Sequence, residues 1–220
     1  MSINIEAFSL SLKRLWPHGD IKVPGLVAGI ISSVPNVFQK YNITSNLVVC
    51  HMFAQFSEEC GAGYDMQENM NYSAARLLQV FPSHFSYGQA ASLAHNPRLI
   101  ADKAYGGRMG NRVGTDDGWN FRGQGLSQVT GRNGYAALAK KSGLDIVNHP
   151  ELIIAPATAL ECGVADFILC GCLPYAEKDD LIGVSSMLNV GHYDQNPNHI
   201  NGYSMRKNWL ALWKHALGVS

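Results

Sequence analysis

Apolar residues recur at intervals of three and four along much of the chain, and this spacing predicts a mainly helical protein. The most regular segment runs from Asn46 to Cys60, where Val49, Met52, Phe53 and Phe56 fall on one face of a helix. This segment is therefore the best candidate for a core helix.

Other segments repeat the helical spacing more weakly. Residues 23–45 carry it, with interruptions expected at Gly29 and Pro35. Ser73 can cap a short helix over residues 74–80, and Pro97 can open another that runs toward Tyr105. Further helices are predicted over residues 87–96, 135–142, 157–170, 180–188 and 203–217.

The segment from residue 106 to residue 134 contains nine glycines, interleaved with aromatic and arginine side chains. Neither a helix nor a long strand is expected there, and a tight loop or short β-hairpin is the predicted form. The predicted architecture is a single mainly α domain over residues 1–220, with two helical lobes and a cleft between them. The lobes are expected to comprise approximately residues 1–60 with 131–220, and residues 61–130.

Composition narrows the classes of ligand. Charged residues make up 15% of the chain, and Lys+Arg and Asp+Glu balance at 17 each, so no basic field indicates nucleic-acid binding. The five cysteines lack metal-finger spacing and are expected to be buried free thiols. We expect an uncharged ligand bound by hydrogen bonds and stacking, with neither a metal nor an organic cofactor.

The amino-terminal stretch "MSINIEAFSLSLKRLWPHGD" lacks a continuous apolar region followed by a small-residue cleavage site. Synthesis and folding in the cytoplasm are therefore expected.

Two adjacent acids end the predicted core helix. Glu59 continues its apolar face near the negative end of the helix dipole, and both desolvation and the dipole favour a protonated carboxyl group. Such a group suits general-acid chemistry, although Glu59 could instead be a structural carboxylate that accepts hydrogen bonds from the turn. Glu58 follows His51 and Gln55 on a polar face and is expected to be solvated.

A third acid, Glu68, lies nine residues after Glu59 in a predicted loop. It could act as the base of a two-carboxylate pair or be an ordinary exposed loop acid, and Asp65 competes for the same role. The side chains of Asn71 and Tyr72, which follow, could bind a sugar or hold the loop in place.

Several stretches, taken in order, resemble one enzyme family. They are "FAQFSEECG", "ENMNYSAARLLQVFP", "YGGRMGN", "DDGWNFRGQGLSQVTGRNGY", "LNVG" and "INGYSMRKNW", and they span roughly residues 50–210. The chain is similar to family 19 glycoside hydrolases, the chitinase-like lysozymes, and most of all to bacteriophage endolysins. The resemblance implies a lysozyme-like two-lobed α-helical fold in which the glycine-rich region flanks the cleft.

The resemblance also implies roles for individual residues. The family's general acid falls on Glu59, the catalytic base on Glu68, and the hydroxyl that holds the attacking water on Thr130. Inverting hydrolysis of this kind uses carboxyl groups about 6.5–9.5 Å apart with a water molecule between them.

Three further residues match the family's binding positions. The resemblance makes Gln128 a substrate-binding amide, Asn189 a cleft asparagine and Arg206 a support for the acidic pair. Hairpin and turn hydrogen bonds are an equally good interpretation of Gln128 and Thr130, and a surface-helix position is the alternative for Arg206. Trp209 and Trp213 are expected to be core residues rather than sugar platforms.

The chain departs from the family's pattern at four positions. Glu58 replaces a histidine and Cys60 a serine, while Gln124 and Ser127 stand where arginine and isoleucine are common.

The resulting functional hypothesis is an inverting, endolysin-type muramidase that cleaves β-1,4 glycosidic bonds of bacterial peptidoglycan. The alternatives are a chitinase acting on N-acetylglucosamine polymer and a catalytically impaired cell-wall-binding protein. As an endolysin, the protein would be a monomer made in the cytoplasm of the host bacterium. It would act on the periplasmic cell wall after a holin opens the membrane.

Overall fold

A computed structural model describes residues 3–220, and within them the chain forms twelve α-helices. They are α1 (Ile5–Leu15), α2 (Leu26–Lys40), α3 (Asn46–Glu59), α4 (Ala74–Val80), α5 (Tyr87–Leu93), α6 (Pro97–Tyr105), α7 (Asp117–Asn120), α8 (Arg132–Ser142), α9 (Ala159–Leu169), α10 (Leu173–Ala176), α11 (Leu181–Asn189) and α12 (Tyr203–Leu217). Short 3₁₀ turns cover Pro150–Ile153 and Pro197–His199. The predicted mainly α class is confirmed.

Helix α3 is the centre of the molecule. Every residue from Val48 to Ser57 is buried, and α12 packs along the helix while α9, α10 and α11 also contact it. The hydroxyl of Ser57 accepts hydrogen bonds from the indole N–H of Trp16 at 2.9 Å and of Trp213 at 3.0 Å. Trp213 is fully buried, so the prediction that it is a core residue is confirmed; Trp209 is half-buried and packs against the same core.

The second face of α3 was predicted to be polar and is instead enclosed. His51 and Gln55 are both fully buried, because the polar groups of other segments meet them there. The Nε2 atom of His51 lies 2.8 Å from the carboxylate of Asp179, and the amide nitrogen of Gln55 donates to the Ser185 hydroxyl at 3.1 Å.

The caps read from the sequence are present where the predicted helices begin. The Ser73 side chain accepts a hydrogen bond from the Arg76 backbone N–H at the start of α4, and Pro97 is in the first turn of α6. Helix α8 ends at Gly143, which adopts the left-handed conformation with φ of 79°. Helices α1 and α10 had no counterpart in the predicted pattern.

The expected interruptions of α2 do not occur. Gly29 lies where a Cβ atom would come 2.3 Å from the carbonyl oxygen of Pro156, so this glycine allows a close backbone contact. Pro35 lies inside the continuous helix, and its ring is exposed to solvent. The prediction was wrong because local propensity was outweighed by packing on one side and solvent access on the other.

The glycine-rich region is a loop with one short helix, α7, which the sequence did not predict. Gly118 packs directly on α6, since a Cβ atom there would come 2.5 Å from the Ala101 carbonyl oxygen. The Trp119 backbone N–H also donates to the Asp102 carboxylate at 2.8 Å. Strand pairing within residues 3–220 is limited to isolated antiparallel bridges of Gln124 with Gln67 and Val129.

Buried apolar side chains form three clusters. The largest surrounds α3, the second joins the glycine-rich loop to α8 and α9, and the third lies within residues 70–104. The division into two lobes stays a prediction.

The cysteines are free thiols, four of them buried and Cys170 half-buried. Across residues 3–220, no helix is long and apolar enough to cross a membrane.

Candidate active site

Glu59 is the last residue of α3, and its side chain is 17% exposed. Its Oε1 atom accepts a hydrogen bond of 2.6 Å from Nη2 of Arg206. Arg206 comes from α12, so the packing of α12 along α3 brings the two side chains together. The candidate acid therefore faces a cation supplied by a distant part of the sequence.

Arg206 is only 2% exposed and links Glu59 to other buried or backbone groups. Besides Glu59, its guanidinium donates to Gln55 Oε1 at 2.6 Å and to the Asn201 carbonyl oxygen at 3.0 Å. The Asn201 backbone N–H in turn donates to the Asn189 side-chain oxygen at 2.8 Å. Arg206 is thus a buried network residue rather than a surface-helix residue, and its ion pair is with Glu59 rather than with Glu68.

Glu68 lies in the loop that follows α3 and is half-buried. Its Oε1 atom accepts from the Tyr105 hydroxyl at 2.8 Å, and its Oε2 atom accepts from the Gly123 backbone N–H at 3.3 Å. The Glu68 backbone N–H donates to the Gly123 carbonyl oxygen at 2.8 Å. Burial and the nearby Glu68 charge raise the pKa of Tyr105, so the phenol stays a hydrogen-bond donor to this carboxylate.

Gly123 is the point where three predicted site residues converge. A Cβ atom built there would lie 3.2 Å from Gln128 Oε1, 3.3 Å from Thr130 Oγ1 and 3.5 Å from Glu68 Cβ. The glycine leaves open the space that these groups surround. The structure therefore brings Glu68, Gln128 and Thr130 together from two separate segments of the chain.

The hydrogen bonds of Gln128 and Thr130 also shape the loop. Gln128 has a φ of 55°, and its amide nitrogen donates to the carbonyl oxygens of Asp65 and Gly125 at 3.1 and 3.0 Å. The Thr130 hydroxyl donates to the Gln128 carbonyl oxygen at 3.1 Å. The turn-forming interpretation of both residues thus describes their contacts in this structure. Each side chain keeps an acceptor oxygen near Gly123.

Asn71 and Tyr72 make their contacts away from the group of side chains around Gly123. The Asn71 side-chain oxygen is 3.0 Å from His95 Nδ1, and the Tyr72 ring meets Phe81 edge to face at 5.9 Å between centroids. Burial and, to a lesser degree, the Glu68 charge raise the pKa of Tyr72. Asn71 therefore holds the loop in place, whereas Tyr72 lies within the electrostatic reach of Glu68.

Glu58 does not lie on a solvated face. It is half-buried, and a Cβ atom at Gly202 would come 2.2 Å from its Oε1 atom. Burial raises the pKa of Glu58, Arg206 opposes this, and the charge of Glu59 adds to it. The expectation of a solvated residue was wrong because the segment before α12 covers this end of α3. The competitor Asp65 pairs with Lys22 at 2.6 Å and is exposed.

Sequence reasoning missed three residues that contact or influence the acids. Gln55 precedes Glu59 by one helical turn, so helical spacing could have found it. Tyr105 carries no local signal that links it to Glu68. Asp166 of α9 lies near Glu59, and burial raises the pKa of Asp166 to about 6.

Within residues 3–220, no group of three or more His, Cys, Asp or Glu side chains is arranged to hold a metal ion.

Comparison with solved structures defines the class of fold. A chitinase C mutant matches over 96% of this chain and 92% of its own, with a TM-score of 0.63 and 14% identity. Chitinase C from Streptomyces griseus HUT6037 matches over the same shares with a TM-score of 0.59 and 16% identity. The fold is thus the mainly helical, lysozyme-like fold of family 19 chitinases.

Sequence comparison then identifies the family. No protein-family model matches the chain. A protein of Haemophilus influenzae (strain ATCC 51907 / DSM 11121 / KW20 / Rd), described as a glycosyl hydrolase family 19 domain-containing protein, is 32% identical over 185 residues. The match covers 83% of this chain and 86% of that protein. The chain belongs to glycosyl hydrolase family 19 and is a glycoside hydrolase.

Proposed function

We propose that the protein is an endolysin-type muramidase that cleaves the β-1,4 glycosidic bonds of bacterial peptidoglycan with inversion. The observation that carries the proposal is the convergence of three side chains around Gly123: Glu68, from the loop that follows the Glu59 helix end, and Gln128 and Thr130, from the glycine-rich loop. Two carboxyl groups on separate supports, with a hydroxyl beside one of them, are the parts that inverting hydrolysis requires.

Glu59 is the proposed general acid. Arg206 and the end of α3 fix its orientation, and Oε2 accepts no hydrogen bond from the described residues. This oxygen is the one we assign to carry the proton to the leaving glycosidic oxygen. Proton transfer breaks the bond between the anomeric carbon and that oxygen as the water attacks.

Glu68 is the proposed base. Tyr105 and the Gly123 backbone N–H hold its two oxygens, so the carboxylate is oriented before substrate binds. The Thr130 hydroxyl can accept a hydrogen bond from the attacking water, and Gln128 Oε1 can accept one from a sugar N–H or hydroxyl. Glu68 takes the water proton as the oxygen attacks the anomeric carbon from the opposite face.

The acid and base roles are tested by Glu59→Gln and Glu68→Gln. Each variant should lose at least 100-fold in kcat on purified peptidoglycan while still sedimenting with the wall. Glu177→Gln, an acid without an assigned role, serves as the matched control. Full activity in either site variant would refute that role. A wild type that binds the wall without turnover would instead support the impaired wall-binding protein.

Bond and substrate are tested by mass spectrometry of the products from peptidoglycan and from chitin oligomers. The proposal expects muropeptides with N-acetylmuramic acid at the new reducing end. It also expects the product anomer first seen by NMR to be inverted. The second candidate is a chitinase, which the fold shared with chitinase C favours. Products from chitin alone would decide for it.

We also propose that the protein acts as a monomer on the periplasmic wall of the host bacterium after synthesis in the cytoplasm, with a holin providing passage. Expression alone should then leave cells intact, and co-expression with a holin should lyse them. Lysis without a holin would contradict this route. Light scattering would measure the oligomeric state.

A further inference from the structure

A cavity beside Glu68 contains a buried arginine that the mechanism does not use. Its volume is about 260 Å³, and Glu68, Asn69, Trp119, Arg122 and Lys22 are among the residues that line it. Arg122 is only 7% exposed. A guanidinium at such a position is stable only when its charge and its N–H groups find partners.

Only some of the N–H groups of Arg122 have a hydrogen-bond acceptor among the described residues. Nη1 donates to the Trp119 carbonyl oxygen at 2.7 Å, and the guanidinium carbon lies 3.7 Å from the centroid of the Trp119 ring. The Nε atom is buried and has no hydrogen-bond partner among the described residues. Arg122 forms no ion pair with a described carboxylate. Burial lowers its pKa, and the nearby charge of Glu68 opposes this.

The other charged groups of the cavity are already engaged. Glu68 uses its two oxygens to accept from Tyr105 and from Gly123, and Lys22 pairs with Asp65 at 2.6 Å. Arg122 is therefore the cation of this cavity that is available to donate hydrogen bonds to an acceptor on a ligand.

We propose that Arg122 binds the free lactyl carboxylate of the substrate's amino sugar, which is present on muramic acid units without a peptide stem and absent from chitin. The proposal rests on the proposed function, because it places this substituent beside the base Glu68. A guanidinium matches a carboxylate with two parallel N–H donors, and the Trp119 ring holds the guanidinium plane in position. Arg122 is thus a specificity-determining residue for substituted glycan.

The first test uses N-acetylmuramic acid and N-acetylglucosamine, two monosaccharides that differ only in the 3-O-lactyl group. Binding to the wild-type protein is measured by NMR titration at low and at physiological salt. N-acetylmuramic acid should bind about tenfold more tightly, with chemical shift changes at Trp119 and Arg122. Its methyl ester should lose the advantage. Equal affinity for the acid, its ester and N-acetylglucosamine would overturn the proposal.

The second test compares Arg122→Gln with Arg76→Gln, which changes an exposed arginine on α4. Arg122→Gln should lose the preference for N-acetylmuramic acid, whereas Arg76→Gln should keep it. On oligosaccharides of equal length, the loss of kcat/KM in Arg122→Gln should be about tenfold larger for the lactyl-substituted substrate than for the unsubstituted one. Equal losses on both substrates would indicate a structural role and refute the assignment.

The outcomes separate the inference from the function it rests on. Discrimination of the monosaccharides without any wall hydrolysis would refute the glycosidase role and leave the carboxylate site standing. Wall hydrolysis without discrimination of the monosaccharides would support the glycosidase role and refute the carboxylate site. If Arg122→Gln does not fold, the ester comparison on the wild type decides alone.

Discussion

At the scale of single residues, Arg206 shows how a buried charge is kept in this protein. Its guanidinium has three acceptors, from α3 and from the loop before α12, and each partner is itself largely buried or tied to the backbone. Removing the arginine would leave Gln55 Oε1 and the Glu59 carboxylate without their donor. The loss of one partner of a buried pair costs more than the pair contributes as a whole.

Arg206→Ala should therefore lower the free energy of unfolding by about 3–5 kcal/mol. Urea denaturation measures this, with Arg76→Ala as a surface control that should change stability by less than about 0.5 kcal/mol. Arg206→Lys keeps the charge but loses the planar fork, so its loss should be smaller. Similar losses for Arg206→Ala and Arg76→Ala would contradict the network described above.

Glu58 gives a second prediction at this scale. Because its pKa is raised in the folded state, it contributes most to stability below its ordinary pKa of about 4.5, and this contribution is lost as pH rises through the folded pKa. Glu58→Gln should thus gain stability relative to wild type between about pH 4.5 and neutrality. Thermal melts across that range test the prediction; a constant difference would refute it.

At the scale of elements, glycines in helices have opposite roles at two positions. Alanine favours a helix over glycine by about 1 kcal/mol. At Gly29 of α2, however, the added Cβ would clash with the Pro156 backbone, whereas at Gly88 of α5 it would meet nothing within 4 Å.

Gly29→Ala should accordingly destabilise the protein by about 1–3 kcal/mol, because overpacking outweighs propensity. Gly88→Ala should be neutral or stabilise by up to about 1 kcal/mol. Chemical denaturation of both variants measures the contrast. Equal effects would show that the α2 contact with Pro156 can relax.

The glycine-rich loop supports a prediction about activity. The contacts that a Cβ at Gly123 would make with Gln128 and Thr130 are tight, and both atoms belong to the proposed site. Gly123→Ala should reduce kcat by about tenfold through displacement of these groups, with a small change in stability. Gly114→Ala is not a suitable control because that glycine has a positive φ, so Gly88→Ala serves again.

At the scale of the whole molecule, buried ionisable groups make the free energy of unfolding depend on pH, and some of them favour acidic pH while others favour neutral pH. Hydrogen bonds from Arg112 hold the pKa of Asp117 at about 2, and this contribution to stability is lost as pH falls from about 4 through 2. Burial raises the pKa of Asp166 to about 6, so its contribution is present below about pH 4 and is lost as pH rises through 6. Burial lowers the pKa of His51, so its contribution is lost as pH falls below about 6.5.

Asp166→Asn should therefore raise the free energy of unfolding at pH 7 and leave it nearly unchanged at pH 4. A shift of about two pKa units corresponds to at most about 3 kcal/mol, and partial solvent access reduces the gain. Denaturant titrations at both pH values test this. The same difference at pH 4 and pH 7 would mean that ionisation of Asp166 is not the cause.

The sequence by itself determined the helical class, the phase of α3, the Ser73 cap of α4 and the start of α6 at Pro97, because these depend on spacing and on side chains a few residues apart. It also carried enough of the family's motifs to indicate the family to which the chain belongs. The site roles of Glu59 and Glu68 remain predictions that rest on those motifs.

Only the tertiary structure decided what covers each face of α3. Helical phase placed His51, Gln55 and Glu58 together, but whether that face meets water depends on where α12 and the segment before α11 return, more than a hundred residues later. The same long-range packing gives Glu59 its arginine, joins Tyr105 to Glu68 and buries Arg122 without an ion pair among the described residues. Such contacts have no local signature, because each depends on two segments meeting in space rather than on spacing along one.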